Sequence, residues 1–387
     1  MTEAIARESS VHSAPDIRTE ELLLNMGPQH PSTHGVLRVI VRTDGEMVLD
    51  CEPVVGYLHR CFEKCAESGT YVQAVCYTDR LDYLMAMGNN LGYALAVEKL
   101  AGGEIPEMAE FIRVLVTELN RIGSHLIALG TFGLDTGAIT PFFYSFRDRE
   151  MVLDILEEIC GQRLNYNYIR PGGVAYDLPE GILKKVEKFL DHMEKSLVEI
   201  NDLLTYNGIF IHRTANVGIL DVETAIRYGV TGPNLRSTGL KRDLRKLRPY
   251  GIYDRFEFNI CTGTGEYGTL GDCWNRHIVR MQEITESIKI LRQVLGSFPT
   301  EGEHIAKAMA RKVRPAVGAA YTAVENSKGE LGFYVASDGS DKAWRIKCRA
   351  PSFHNISVLP ALCKNTMLAD MVIVLGSLDI VLGEIDR

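Results

Sequence analysis

The chain lacks any Cys-x-x-Cys pair, although nine of its 387 residues are cysteine. Their odd number and scattered positions favour reduced thiols in a cytosolic compartment over a disulfide framework. Cys61 and Cys65 are the closest two. Since no second pair lies nearby, their spacing is better explained by helix packing than by metal binding. The sequence therefore predicts no metal site.

Long apolar runs are also missing. The most apolar segments, such as 371–378 and 91–97, are far shorter than the roughly 20 residues of a membrane-spanning helix. The formal net charge of -8 argues against nonspecific binding to nucleic acid, which requires a basic face. Residues 1–19 lack an apolar core and carry acidic residues, so neither a secretory signal nor a transit peptide is expected. These absences indicate a bacterial protein with a cytoplasmic address.

The motifs of several enzyme classes are absent as well. The chain has no Walker loop, no Gly-x-Ser-x-Gly and no His-Glu-x-x-His. The glycine-rich segment 262–271 does not follow a strand and open a helix, as a dinucleotide site requires, so we interpret it as a loop. Nucleotide-binding and hydrolytic functions that depend on these motifs are therefore disfavoured.

Hydrophobic periodicity divides the chain into four regions: a polar tail (1–20), an N-terminal β region (21–75), a helical bundle core (76–300) and a C-terminal α+β region (301–387). Strands are predicted at 21–25, 36–41, 331–336 and 344–349, with a hairpin at Asp44-Gly45. Helices are predicted at about 81–100, from Pro106 to about 129, and at about 141–160, 179–206, 273–295 and 359–375. The predicted fold class is α+β, mainly a helical bundle with a small β region at each end.

Two histidines lie in the segment Gly-Pro-Gln-His-Pro-Ser-Thr-His-Gly (27–35), between two predicted strands. Pro28 and Pro31 exclude a helix and stiffen the turn, so His30 and His34 are expected on a rigid loop. A loop held by strands is a natural place for a proton donor or a ligand-binding group. Hydrogen bonds that merely tie the turn together would also account for both histidines.

Residues 77–83 combine phenols, carboxylates and a guanidinium at the predicted start of a helix. Thr78 or Asp79 could cap that helix, and acidic groups suit its N-terminal dipole. A cap does not explain Arg80 or Tyr83. A tyrosine can donate a proton to a reducible carbonyl, and a fixed cation raises the reduction potential of a nearby redox centre.

Asp135 follows a long apolar helix, in the segment Leu-Asp-Thr-Gly (134–137). An aspartate at such a place is usually a turn former. If Asp135 instead faces His34, its carboxylate would keep that imidazole protonated and oriented.

Taken together, these segments resemble a family of bacterial proton-pumping NADH:quinone oxidoreductase subunits, the large quinone-site subunits of respiratory complex I. The likeness extends from Gly27 to Arg387. It is carried by the motifs GPQHPSTHG (27–35), GYLHRCFEK (56–64), YTDRLDYL (77–84), TPFFYSFRDRE (140–150), YIRPGGV (168–174), RAPSFHNI (349–356) and SLDIVLGEIDR (377–387). The resemblance implies a subunit of a proton-translocating NADH:quinone oxidoreductase, peripheral on the cytoplasmic side of the cell inner membrane.

The resemblance also implies the fold of the nickel–iron hydrogenase large subunit. Those proteins hold nickel with two Cys-x-x-Cys pairs, because soft thiolates bind that metal. Here the corresponding positions are Asp82, Met85, Val381 and Glu384, so the nickel ligands are absent. We expect the C-terminal tail to return to this former metal cavity, where a quinone headgroup would bind.

The family pattern further implies roles for single residues. His34 and Tyr83 would hydrogen-bond the two quinone carbonyls, Asp135 would be the partner of His34, and Arg80 would lie near the terminal tetranuclear iron–sulfur cluster of a neighbouring subunit. Loss of protons from His34 and Tyr83 would shift the charge on Asp135 and start the signal to the membrane pumps. In one departure, Asn165, which cannot titrate, replaces a histidine that many relatives carry near the cluster.

The resemblance also sets the expected cofactors and partners. No cofactor is expected on this chain alone, since quinone is a substrate and the iron–sulfur clusters and FMN belong to partner subunits. The expected partners are the small subunit with the terminal cluster, the peripheral-arm subunits and the membrane-arm quinone-site subunit. No nucleic acid partner is expected.

Two other functions remain open. A structural platform would bind no substrate, and substitution of His34 and Tyr83 would then leave quinone reduction unchanged in a normally assembled complex. A membrane-linked hydrogenase large subunit would require the missing thiolates, and nickel analysis of the purified protein would identify it.

Overall fold

The computed structural model describes residues 21–28, 34–307, 309 and 313–387. The predicted tail 1–20, His30 and Pro31 lie outside the described residues. Within the described ranges, the chain is α+β and mainly helical, with a small sheet near each end of the sequence. The predicted fold class is confirmed.

Eight strands form three antiparallel sheets in the described ranges, in the orders β1-β2-β3, β4-β5 and β6-β7-β8. They are β1 Glu21–Met26, β2 Arg38–Asp44, β3 Met47–Val54, β4 Ile169–Arg170, β5 Gly173–Val174, β6 Gly318–Asn326, β7 Gly329–Ser337 and β8 Ala343–Arg349. The hairpin at Asp44-Gly45 is confirmed, since Asp44 pairs with Met47. Strand β6 was not predicted, because its alanines have little intrinsic β propensity and its pairing with β7 stabilises it.

Fifteen α-helices occur in the same ranges. They are α1 Phe62–Ser68, α2 Tyr71–Thr78, α3 Ala86–Ala101, α4 Glu107–Asp135, α5 Ile139–Cys160, α6 Ile182–Ile200, α7 Gly208–Thr214, α8 Val222–Tyr228, α9 Pro233–Arg236, α10 Leu244–Leu247, α11 Cys273–Ser297, α12 Pro351–Ser357, α13 Leu359–Cys363, α14 Leu368–Leu378 and α15 Leu382–Asp386. A π-helical turn, Asn201–Thr205, continues α6. The predictions of α4, α5, α6 and α11 are confirmed to within a few residues.

Two helix predictions were wrong in part. The helix predicted from residue 81 begins at Ala86, because α2 ends at Thr78 and residues 79–85 form an irregular loop. Neither Thr78 nor Asp79 caps α3; Asp79 instead terminates α2. The helix predicted at 359–375 is two helices, α13 and α14, separated where Asn365 adopts a φ of 61°. A residue in this left-handed region cannot continue a right-handed helix.

Helix α4 lies at the centre of the core and packs against α3, α5, α11 and α14. Nearly all of its residues from 111 to 133 are buried, including the charged side chains Glu118 and Arg121. Buried charges require partners in the interior, because desolvation otherwise disfavours them strongly. The central helix therefore depends on ionic contacts with its neighbours as well as on apolar packing.

These contacts form a core ion cluster, which we define as Glu118, Arg236, Arg245, Glu283 and Glu325. Arg236 donates hydrogen bonds to Glu283 and, at 2.6 Å, to Oε1 of Glu325. Arg245 donates to Oε1 of Glu118 at 3.2 Å. All five side chains are at most 3% exposed. The cluster joins α4 to α9, α10, α11 and β6, and so holds the elements that carry the candidate site.

No helix in the described part of the chain has both the length and the apolar character that crossing a membrane requires.

Candidate functional site

The first half of the site is a contact between the histidine-bearing loop and the end of α4. Nε2 of His34 lies 2.9 Å from Oδ2 of Asp135, with side chains only 15% and 9% exposed. Asp135 is the last residue of α4, and His34 lies just before β2 in a left-handed conformation, with a φ of 51°. The structure therefore brings these two predicted site residues together, although 101 positions separate them in the chain.

The surroundings of His34 favour its protonated form. Burial lowers the pKa of His34, but the hydrogen bond to Asp135 and the negative charges of Asp135 and Asp379 outweigh that effect, so the pKa lies above its ordinary value of 6.5. A raised pKa keeps the imidazole protonated to higher pH. The carboxylate thus favours the protonated form of His34, and a protonated imidazole is chemically a proton donor.

The position of Asp135 depends on a glycine in α14. A Cβ on Gly376 would lie 2.2 Å from Oδ2 of Asp135, the same oxygen that accepts the hydrogen bond from His34. Helix α14 therefore leaves room for the carboxylate at Gly376. The same helix ends at Leu378, and the next residue, Asp379, carries a charge that acts on His34.

Tyr83 lies in the irregular loop 79–85 between α2 and α3 and is partly buried. Within the described part of the chain, its hydroxyl group forms no hydrogen bond with the protein, so it can donate one to a ligand. Burial and the charge of Asp82 raise the pKa of Tyr83, while Lys328 and Arg60 act in the opposite direction. The phenol therefore keeps its proton at neutral pH.

Lys328 connects the His34–Asp135 contact with the loop that carries Tyr83. Its Nζ atom lies 3.4 Å from Oδ2 of Asp82 and 3.5 Å from Oδ2 of Asp379. Asp82 precedes Tyr83 in the chain, and Asp379 interacts electrostatically with His34. Neither Lys328 nor Asp379 was predicted from the sequence: Lys328 lies in the β6–β7 turn and resembles a solvated turn residue, and the only signal for Asp379 was its place in the SLDIVLGEIDR motif.

Two of the four positions that the family resemblance aligns with nickel ligands, Asp82 and Glu384, carry buried carboxyl groups. Burial, followed by the charge of Asp82, raises the pKa of Glu384 to about 8. The carboxyl group of Glu384 accepts a hydrogen bond from the backbone N–H of Ser352 at 3.0 Å. The C-terminal segment also touches the loop that carries Tyr83, since a Cβ on Gly383 would lie 2.4 Å from the carbonyl oxygen of Leu81.

Arg80 lies at the surface and is exposed. It lines a pocket of about 220 Å³ together with Arg60, Phe62, Cys65 and Tyr77. The guanidinium of Arg80 donates a hydrogen bond to the carbonyl of Cys76, and that of Arg60 donates to the carbonyl of Arg80. Neither guanidinium forms a salt bridge with a described residue, so the two present positive charge at the surface.

A titratable carboxyl group lies close to the segment that contains Asn165. Oδ2 of Asp79 accepts a hydrogen bond from the backbone N–H of Asn167 at 2.9 Å, and Oδ1 accepts one from the side chain of Asn90 at 2.8 Å. Burial raises the pKa of Asp79 to about 7. The absence of a histidine at position 165 therefore does not remove every titratable group from this region, which the sequence did not predict.

Comparison with known proteins assigns the chain to a class. The family described as "Respiratory-chain NADH dehydrogenase, 49 Kd subunit" matches residues 135–315 and 302–387. The chain belongs to this family, and the resemblance stated from its motifs is confirmed.

Particular relatives match over nearly the whole chain. The D subunit of the NADH-quinone oxidoreductase of Bacillus thuringiensis subsp. konkukian is 50% identical over 370 residues, which cover 96% of this chain and 100% of that protein. The protein of the same name from Chlorobium chlorochromatii is 49% identical over 382 residues, with 98% and 96% covered.

Proposed function

We propose that this chain, as the D subunit of an NADH-quinone oxidoreductase, forms the quinone headgroup site and couples quinone reduction to proton translocation. Membership of the family and the full-length similarity to proteins named as this subunit support the assignment. The single observation that carries the quinone site is the buried contact between His34 and Asp135, linked through Lys328 to the neighbourhood of Tyr83.

The proposed chemistry follows from what a quinone requires. Conversion of a quinone to a quinol adds two electrons and two protons, one proton at each carbonyl oxygen. The electrons reach the substrate from the small partner subunit, on the side where Arg80 and Arg60 present positive charge. His34 donates a proton to one oxygen and Tyr83 to the other. A proton donor must be protonated at the working pH, and the raised pKa of His34 favours that form.

Proton donation changes the charge next to the core. Once His34 is neutral, the negative charge of Asp135 at the end of α4 loses its partner. Because α4 packs against α14 at Gly376, this charge change acts on two core helices at once. We propose that this is the first step of the signal to the membrane arm.

As this subunit, the chain would have defined partner subunits and a defined location. The small subunit with the terminal iron–sulfur cluster, the other peripheral-arm subunits and the membrane-arm quinone-site subunit are its partners, and FMN and the clusters reside in those partners. The chain would lie on the cytoplasmic side of the cell inner membrane as a peripheral subunit.

Substitution of the two donors tests the proposal. We expect His34→Gln and Tyr83→Phe each to lower quinone reduction at least about tenfold, because general acid catalysis is lost. Reduction of an artificial acceptor by NADH, measured on the same purified complex, should stay normal. His212→Gln and Tyr176→Phe, at exposed positions, are the matched controls. If the donor variants keep full quinone reduction, the chain is a structural platform instead.

Asp135→Asn should change the pH dependence of the reaction. Without the carboxylate, the lowering effect of burial dominates, so the pKa of His34 falls and the imidazole loses its proton at lower pH. We therefore expect the alkaline limb of the pH–rate profile for quinone reduction to shift to lower pH. Asp191→Asn, which removes a carboxylate that is 60% exposed, should leave the limb in place. An unshifted limb in Asp135→Asn would show that His34 does not depend on this carboxylate.

A further inference from the structure

The ammonium group of Lys328 is enclosed by the protein and contacts two serine hydroxyl groups. Nζ lies 2.9 Å from Oγ of Ser124 and 3.4 Å from Oγ of Ser327, and the residue is only 1% exposed. Its backbone is fixed as well, since the side chain of Asn355 donates a hydrogen bond to the carbonyl of Lys328 at 2.9 Å. A lysine enclosed in this way is not a solvated turn residue, because its long side chain loses rotamer freedom and its charge loses water.

Two buried carboxylates share this ammonium group. Oδ2 of Asp82 and Oδ2 of Asp379 lie 3.4 and 3.5 Å from Nζ of Lys328, longer than the roughly 2.7–3.2 Å of a good N–H···O hydrogen bond. Neither oxygen has a hydrogen-bond partner in the described part of the chain. Lys328 therefore lies between the two carboxylates and is bound closely to neither. The charges near Asp82 and near Asp379 then decide which of the two carboxylates the ammonium group approaches.

The other charged groups around this triad determine how it responds. Asp379 faces Nε of Arg280 at 3.6 Å and interacts with His125 and His34, while Lys328 and Asp82 both interact with Glu384. In a buried site of low dielectric constant, these interactions are stronger than at the surface. Loss of the His34 proton removes one positive charge from the side of Asp379 only. Lys328 is then attracted more strongly toward Asp379, and its electrostatic interaction with Asp82 weakens.

We propose that Lys328 is a positioning residue that couples the two proton donors of the site: its ammonium group, shared by Asp379 and Asp82, transmits the loss of the His34 proton to the carboxylate beside Tyr83. The proposal rests on the proposed function. Burial already raises the pKa of Asp82, whereas Lys328 and Arg280 hold the pKa of Asp379 below its ordinary value. As Lys328 moves toward Asp379, the pKa of Asp82 rises further, so this carboxyl group binds a proton from solvent next to the phenol. The two proton donations are therefore linked through charge, with no direct contact between His34 and Tyr83.

Charge-balanced variants of the whole complex test the coupling. Lys328→Met alone removes the cation that faces Asp82 and leaves Asp379 with Arg280 only, which endangers folding. Lys328→Met is therefore combined with Asp82→Asn, which removes one negative charge together with the positive one. We expect the assembled double variant to lose at least about fivefold in kcat for quinone reduction, with KM within about twofold, since the effect is on proton transfer rather than binding. Its pH–rate profile should also change, whereas a merely structural lysine would alter the amount of complex but not the profile.

Further variants keep the test decisive. Lys328→Arg retains the charge and should recover most of kcat and the wild-type profile, and Asp82→Asn alone should give the same altered profile as the double variant. Lys188→Met, at an exposed position on α6, should change nothing. A wild-type kcat and pH profile in the double variant, or in Asp82→Asn, would overturn the coupling. If His34→Gln and Tyr83→Phe lose quinone reduction in the same assay, only the coupling has failed; if they keep it, the proposed function has failed.

Discussion

Gly376→Ala is expected to lower quinone reduction at least about tenfold, through a residue that carries no chemical group of its own. The new Cβ would lie 2.2 Å from Oδ2 of Asp135 and 3.2 Å from Cδ2 of Phe132. The carboxylate must therefore turn away, which breaks its hydrogen bond to His34. Burial then lowers the pKa of His34, so a smaller fraction of the imidazole is protonated and able to donate.

Two measurements check this result. Quinone reduction is compared per assembled complex, and the alkaline limb of the pH–rate profile should move to lower pH, as in Asp135→Asn. Gly296→Ala is the matched control, because Gly296 lies in α11 and a Cβ there meets no atom within 4 Å. Alanine at this helical position should be neutral or stabilise the helix by up to about 1 kcal/mol. Normal activity of Gly376→Ala would mean that Asp135 can move without consequence for the reaction.

Arg236→Leu is expected to destabilise the protein by about 3–5 kcal/mol, because it leaves the buried carboxylates of Glu283 and Glu325 without their common cation. Loss of this much stability should reduce the amount of assembled complex and its temperature of half-inactivation. Both quantities can be measured in membranes and in the purified complex.

Arg227→Leu provides the comparison for this prediction. Arg227 also pairs with a glutamate, Glu223, but the two side chains are 69% and 81% exposed. An exposed pair of this kind contributes roughly 0–1 kcal/mol, so assembly and heat resistance should remain near normal. Equal effects of the two substitutions would contradict the role that we assign to the core ion cluster.

The sequence predicts best where the evidence for an element is local. The long apolar stripe of α4 and the Asp44-Gly45 turn are patterns within single segments, and each led to a confirmed element. Prediction failed where neighbours decide the structure. Strand β6 exists because β7 pairs with it, and α13 and α14 separate at an asparagine whose left-handed conformation no periodicity reveals.

The site divides in the same way. Its histidine, tyrosine and aspartate could be named from their chemistry and from the family motifs, because each can be recognised from its own local segment. Apart from the pairing of His34 with Asp135, which the family pattern implied, the connections among these residues could not be named. Lys328 and Asp379 look like ordinary turn and helix-end residues until the fold places both, together with Asp82, in the interior.

The sequence by itself thus determined the family, the fold class and the identity of the candidate proton donors, since motifs and hydrophobic periods are properties of the chain. The tertiary structure gave the expected pairing of His34 with Asp135 its geometry, across 101 positions of the chain. It alone decided that Gly376 makes room for that contact and that one buried ammonium group lies between two carboxylates. The reason is physical: burial and proximity set the pKa of each group, and both arise from contacts between segments that are distant in the chain.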